Sequence, residues 1–326
     1  MIVGFVSNRL TNRGTEVALY DYADYNESLL NNKSIILTRD LHKIPYSPDN
    51  SQEVYDKFNA RFTVIYYQTH DDIDRIVKEQ GIQVLFLEKA GAFDGLLSKE
   101  CKNFVHCVFT TKEPHGELYT ALHEFINMSD GTNYPVLPYM VRVHHTEEDM
   151  RAELGIPKDA LIFGTYSGES CFNIDYVREI VQRIGHDPKF NNIYFIFLGI
   201  NSYGDPSDRI RFLPKTSVLE TKRKFINTCD AMLYGRGCGE TFGLACGEFA
   251  ISNKPIIASL TSVGSLAHLL ILGDDVIGHD NSDELYDILT NWDSHKKEVT
   301  NDGYKSYSPE NVMKIFKGYL DDLLKN

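Results

Sequence analysis

The chain contains no CxxC pair, no long lysine or arginine block, and no apolar run of the roughly eighteen residues that a spanning helix needs. The first absence argues against a thiolate zinc site, since the six cysteines are scattered at 101, 107, 171, 229, 238 and 246. Cys238 and Cys246 come closest to metal spacing but have no histidine near them. Reduced thiols in a cytoplasmic protein are the expectation. The second absence, with a net charge of −13, argues against a broad nucleic-acid surface, where phosphates demand many cations. The third argues against a transmembrane segment. Residues 1–7, MIVGFVS, read as a first strand, with no basic flank and no cleavage region of a signal peptide.

Two common catalytic signatures are also missing. GRGCG at 235–239 lacks GxGxxG spacing, and no ribose-binding acid follows about twenty residues on after a second strand, which argues against a nicotinamide enzyme. Neither Cys238 nor Cys246 lies in a nucleophile elbow, and no serine does.

What is present is an α/β pattern used twice. At 326 residues, the chain suits two domains of about 150 residues each. Apolar runs at 2–7, 34–38, 62–67, 84–88 and 104–109 alternate with helical spacing at 15–29 and 71–79. That rhythm implies parallel strands joined by right-handed crossovers. Turn formers at 130–139 precede a restart at Ala160, with strands at 161–164, 193–198, 210–213, 230–234 and 256–259. Helices are expected at 174–184, 221–228, 265–272 and 283–291, and a final one from Pro309 to Leu324.

The most informative stretch is 235–250, GRGCGETFGLACGEFA. Three alternating glycines follow a short apolar run, and a helix is expected to start at Glu240. Strand, glycine turn, helix and strand together present a helix N-terminus to a phosphate-bearing ligand. Glu248 lies eight residues beyond Glu240. On one helix that is a rise of about 12 Å with azimuths about 80° apart, so the two carboxylates could serve one elongated ligand but could not be a paired acid and base.

The run GETFGLACGEFAISNKPIIAS resembles the donor-binding signature of retaining glycosyltransferases of GT-B architecture, the broad family-4 type, whose E-x7-E element matches Glu240 and Glu248. The likeness is dense over 225–260 and loose elsewhere. It implies an α/β fold of two Rossmann-like domains facing a cleft: 1–145 on the acceptor side, 146–308 for the nucleotide sugar, and a helix over 309–326 packing back on the first domain. It implies a donor linked to UDP or GDP, a carbohydrate or glycoconjugate acceptor, no metal, no further cofactor, and room for peripheral membrane contact. Transfer would retain configuration, the leaving phosphate taking the acceptor's proton. The oligomeric state is open.

By the same resemblance, Glu240 holds hydroxyls of the donor sugar and Glu248 the nucleotide ribose. Main-chain amides around Gly239, Thr241, Phe242, Gly243 and Leu244 face the sugar and diphosphate. The family's basic pair after the first strand of the second domain is missing. Thr165, Ser167 and Ser170 stand in that loop; Lys222, Arg223, Lys224, Arg209, Lys215 or Arg236, the last being nearest in sequence, could supply the charge, or else hydroxyls and main-chain groups hold the phosphate or transfer activity is reduced. In the first domain Gly14, with Arg13, Thr15 and Glu16, matches the loop approaching the ligands. His106 matches a sugar-contacting histidine better than His115 does, and Glu88 and Glu113 are further polar candidates. A nucleotide-sugar epimerase of the same architecture, or a non-catalytic nucleotide-sugar or glycan-binding protein, is the alternative.

Overall fold

The computed structural model describes residues 1–43, 51–261, 263–300 and 302–325. They divide into two compact units, Met1–Met140 together with the chain from Tyr307 onward, and Val141–Ser306.

The first unit begins with β1 (Ile2–Val6), α1 (Gly14–Ser28), β2 (Lys33–Arg39), α2 (Gln52–Arg61), β3 (Thr63–Tyr67) and α3 (Asp71–Gln80). It continues with β4 (Val84–Lys89), β5 (Lys102–Cys107), β6 (Leu118–Ala121) and α4 (Glu124–Asp130). The strands form one parallel sheet in the order β3-β2-β1-β4-β5-β6. Near-continuous apolar strands such as IVGFV suit a sheet covered on both faces, and β1 is buried from Val3 to Val6. Sequence periodicity misses α2, β6 and α4. The strand expected to reach Phe109 ends at Cys107, leaving Phe109 60% exposed.

The second unit repeats the plan. It runs β7 (Leu161–Tyr166), α5 (Asp175–His186), β8 (Ile193–Leu198), β9 (Ile210–Leu213), α6 (Leu219–Thr228), β10 (Ala231–Leu233), β11 (Gly239–Glu240) and α7 (Leu244–Ala250). Then come β12 (Ile256–Ser259), β13 (Ser265–Leu266), α8 (Ala267–Leu272), β14 (Val276–His279), α9 (Ser282–Thr290), α10 (Trp292–His295) and α11 (Asp302–Lys305). Six strands form a parallel sheet in the order β14-β12-β10-β7-β8-β9, while β11 and β13 make a separate two-stranded parallel ribbon. Phe163, Phe195, Ala231 and Ile257 carry the sheet's contribution to a core closed by Val177, Ile180 and Ile184 of α5.

The final helix α12 (Pro309–Lys325) belongs to the first unit. Phe316 explains why: its ring packs on Phe5, Tyr22, Phe86 and Phe104 at centroid distances of 5.3 to 6.3 Å. Among the described residues no helix is long and apolar enough to cross a membrane.

One local expectation is corrected. The helix does not start at Glu240. Gly239 and Gly243 have φ of 65° and 84°, left-handed values that end any right-handed helix running through them. Glu240 therefore lies in β11, pairing with Leu266, and α7 begins only at Leu244. The two glutamates do not share a helix, and the spacing along one axis does not describe them. The architecture itself is as expected: two parallel sheets flanked by helices, two Rossmann-like domains of GT-B type.

Candidate functional site

In an open parallel sheet, ligands gather beyond the carboxyl ends of the strands where the winding reverses. In the second unit that point lies between β7 and β10, since β8 and β9 extend one way from β7 and β10, β12 and β14 the other. The loops after β7 and β10 meet there. Asn173 and Ile174 donate their amides to the Gly235 carbonyl at 2.8 and 3.1 Å, and the Gly237 amide donates to Asn173 Oδ1 at 2.8 Å. Gly235 has to be glycine, because a Cβ there would lie 2.4 Å from the Phe172 ring.

Arg236 and Glu240 hold the middle of this loop. The guanidinium donates to Glu240 Oε1 at 2.9 Å and to Cys238 Sγ at 3.0 Å. Burial raises the pKa of Glu240, and the charge and hydrogen bond of Arg236 oppose that rise. For Arg236 burial acts to lower the pKa, yet Glu240 and the Cys238 contact carry it above its ordinary value. The rings of Tyr234 and His268 meet at a tilt of 40° with centroids 4.7 Å apart. His268 is wholly buried, and its pKa falls to about 4 because burial disfavours the cation. Nothing in the sequence singled out His268.

Glu248 lies in α7 and is 7% exposed. Phe242 is buried under Tyr304 of α11, whose hydroxyl donates to the Phe242 carbonyl at 2.6 Å. Phe242 thus offers only backbone to a ligand. Gly243 is packed so closely that a Cβ would come within 2.9 Å of His268 Cβ. Thr241 and Leu244 are half-buried beside it, and no side chain caps the start of α7. Thr165 is buried in β7, while Ser170 is exposed in the following loop.

The candidate cations separate clearly. Lys224 pairs with Glu148 at 2.6 Å and Glu220 at 2.9 Å, and Lys215 with Glu169 at 3.1 Å. Arg209 bonds the carbonyls of Ile184, Asp187 and Phe190, and Arg223 the Ser252 hydroxyl. Lys222 lies over the Tyr166 ring. Only Arg236 of these six is ion-paired to Glu240.

In the first unit the winding reverses between β1 and β4. A cavity of about 320 Å³ opens beyond their carboxyl ends, with Ser7, Thr11, Glu16 and Glu88 in its wall. Thr11 donates to Glu16 Oε2 at 2.5 Å, with Ser7 and Thr15 at 3.3 Å. Burial nonetheless raises the pKa of Glu16. Glu88 accepts a hydrogen bond from Tyr139, and burial, helped by the charge of Glu16, lifts its pKa well above the usual range. Gly14 is the exposed first residue of α1. Arg9, Asn8 and Phe109 also line the cavity, although the sequence reading did not select them.

His106 lies elsewhere. It is wholly buried in β5, stacked on Phe86 with centroids 5.8 Å apart, and Nδ1 meets the Thr120 hydroxyl at 3.1 Å. Burial drops its pKa to about 3, so it is neutral and enclosed. His115 and Glu113 belong to the loop before β6, where His115 Nδ1 contacts the Glu113 carbonyl at 2.6 Å and Glu113 accepts the Phe93 amide.

No family model matches the sequence, and no curated protein matches it. Solved structures do share the fold. A glycosyltransferase from Rickettsia africae aligns with a TM-score of 0.73 at 13% identity, over 100% of this chain and 99% of that one. Anabaena HepE in complex with UDP-glucose aligns at 0.71 and 12%, over 99% and 100%. AviGT4, a glycosyltransferase involved in avilamycin A biosynthesis, aligns at 0.60 and 13%, over 100% and 99%. At these identities the likeness is one of fold, and it spans the chain from end to end.

Proposed function

We propose that the chain is a glycosyltransferase that moves a sugar from a nucleotide-sugar donor to a carbohydrate or glycoconjugate acceptor, with retention of configuration and without a metal. The observation that carries this is the Arg236–Glu240 pair at the winding reversal of the second unit, with buried Glu248 on the adjoining helix. The fold supports it, because one structure of the same architecture holds UDP-glucose.

In this reading Glu240 accepts donor-sugar hydroxyls and Glu248 receives the ribose. Arg236 supplies the cation that the family places after the first strand of this domain. It faces the carboxylate in the structure and turns to the diphosphate as charge gathers on the leaving group. Stabilisation of that developing charge accelerates transfer without a strong base. Thr165, Ser170 and Lys224 have lesser parts here: one is buried, one exposed, one already paired twice. Enclosure of His106 removes it from the sugar contacts used in this reading.

The test is a calorimetric and hydrolytic screen of UDP- and GDP-sugars with the wild type, Glu240→Ala and Glu248→Ala. Glu248→Ala should weaken nucleotide binding about tenfold, as loss of a hydrogen-bonded carboxylate does. Glu240→Ala should lower turnover more than affinity. Unchanged affinity and turnover in both variants would sink the assignment. Conversion of the donor to an isomeric nucleotide sugar, with no acceptor present, would favour the epimerase instead.

A further inference from the structure

In the second unit the Tyr234 hydroxyl, both ring nitrogens of His268 and the Ser265 hydroxyl are enclosed, and no protein group bonds them. They belong to one small region. Ser265 pairs with Gly239 and Leu266 with Glu240 across the β11–β13 ribbon, and His268 follows two residues later in α8. α8 packs on β11, and the Tyr234 ring meets the His268 ring at 4.7 Å. Tyr234 is 5% exposed and His268 wholly buried. Buried polar groups are nearly always bonded, so this set calls for a partner that another state of the loop supplies. Packing alone does not need it, because apolar side chains of the same shape would fill the space at no loss.

That state is the one in which Arg236 leaves Glu240. Burial raises the pKa of Glu240, and the charge and hydrogen bond of Arg236 oppose the rise. Once Arg236 turns to the diphosphate, the carboxylate has to find another donor or take a proton. The titratable groups around the pair are Cys171, Cys238, Cys246, Tyr234 and His268. Three of these are thiols, which are weak donors. Tyr234 is a strong one. Burial lifts its pKa, Glu240 adds the largest push of any neighbouring charge, and the phenol therefore keeps its proton. His268 is neutral, with its pKa lowered to about 4 by burial, and carries one N–H. The Glu240 backbone lies beside that ring and favours its cation, outside hydrogen-bond geometry.

We propose that Tyr234 is a positioning residue for Glu240: as Arg236 turns to the diphosphate, the Tyr234 hydroxyl donates to the carboxylate and a His268 N–H donates to Tyr234 Oη. Glu240 then stays ionised and keeps its place against the donor sugar while the cation serves the leaving group. The inference rests on the glycosyltransferase reading and adds to it the groups that take over from Arg236.

Tyr234→Phe removes one oxygen and tests this twice. Without ligand its melting temperature stays the same or rises, because the lost hydroxyl bonded no protein group. Hydrolysis of UDP-glucose, UDP-galactose, UDP-N-acetylglucosamine and GDP-mannose is then followed at saturation from about pH 5 to pH 9. For a donor that the wild type accepts, kcat falls about tenfold or more while KM changes less. The acid limb of kcat moves up by about one pH unit, since Glu240 protonates more readily without the phenol. His268→Gln, which keeps an N–H, retains more of kcat than His268→Leu. The proposal is overturned if Tyr234→Phe matches the wild type in kcat and acid limb, or if the two His268 variants behave alike. It is also overturned if the ligand-free melting temperature of Tyr234→Phe falls, which would reveal an existing partner such as an enclosed water. A wild type that binds none of the four donors overturns the transferase reading instead.

Discussion

Arg236 and Glu240 are joined at 2.9 Å across a glycine-rich loop, and each sets the electrostatic state of the other. Burial raises the pKa of the carboxylate, and the charge and hydrogen bond of the guanidinium oppose part of that rise. The pair also keeps the cation beside the site before any ligand arrives.

Removing that cation should damage turnover first. Arg236→Ala is expected to lower kcat by about 10²–10³, the range for losing a donor that stabilises transition-state charge. Arg236→Lys should recover part of it, since an ammonium keeps the charge but not the planar fork. Rates at saturating nucleotide sugar check this. A variant that loses donor affinity alone, with kcat intact, would assign Arg236 to ground-state binding.

Tyr304 supports the loop between β11 and α7 from α11 through its bond to the Phe242 carbonyl. Tyr304→Phe leaves that buried carbonyl without its donor and should destabilise the second unit by about 1–3 kcal/mol. A raised KM for the donor should accompany the lower melting temperature. Denaturant unfolding and donor kinetics on the same preparation measure both.

Three buried histidines make stability fall in acid. His106 is depressed to about 3, and His268 and His279 to about 4, each chiefly by burial. Below the unfolded value of about 6.5 the unfolded chain takes up protons that the folded chain refuses. Stability is therefore full above that value and is lost as pH falls toward the folded pKa values, by up to about 2 kcal/mol per histidine at pH 5. His106→Gln should show a smaller drop in melting temperature between pH 7 and pH 5 than the wild type. An equal drop would mean that His106 is not held neutral.

Glu88 works in the opposite direction. Its pKa is raised by burial, so its contribution is present in acid and is lost as pH rises through the folded value. Glu88→Gln keeps an oxygen for Tyr139 and removes the titration. Its melting temperature relative to the wild type should rise as pH goes from 5 to 8, by roughly 2–4 °C for each kcal/mol relieved. A constant difference across that range would refute the buried, proton-holding carboxyl.

The second unit's sheet was legible because IYFIFL and IIAS are local signals, and a strand buried on both faces has to be nearly continuous in apolar residues. The four residues of β6, LYTA, are too short a run to stand out, and the apolar Val54, Tyr55 and Phe58 of α2 are too sparse a stripe. The helix start was misplaced for a different reason. ETFGLACGEFA has helical composition, and only the backbone reveals that Gly239 and Gly243 turn left-handed.

Motif density alone brought Glu240, Glu248 and Arg236 into one candidate site, because all lie within thirteen consecutive positions of a single loop and helix. The choice of cation needed three dimensions: Lys215, Lys224 and Arg209 are equally basic as letters, and only folding pairs them with Glu169, Glu148 and backbone carbonyls. The same holds for Phe109 and His106. Both belong to VHCVF at 105–109, yet one is enclosed and the other exposed, because the strand ends between them. Local sequence determined where strands form and which residue types gather near the glycines. Tertiary packing decided which charges are already spent and which side chains still meet water, since desolvation and ion pairing depend on distant parts of the chain.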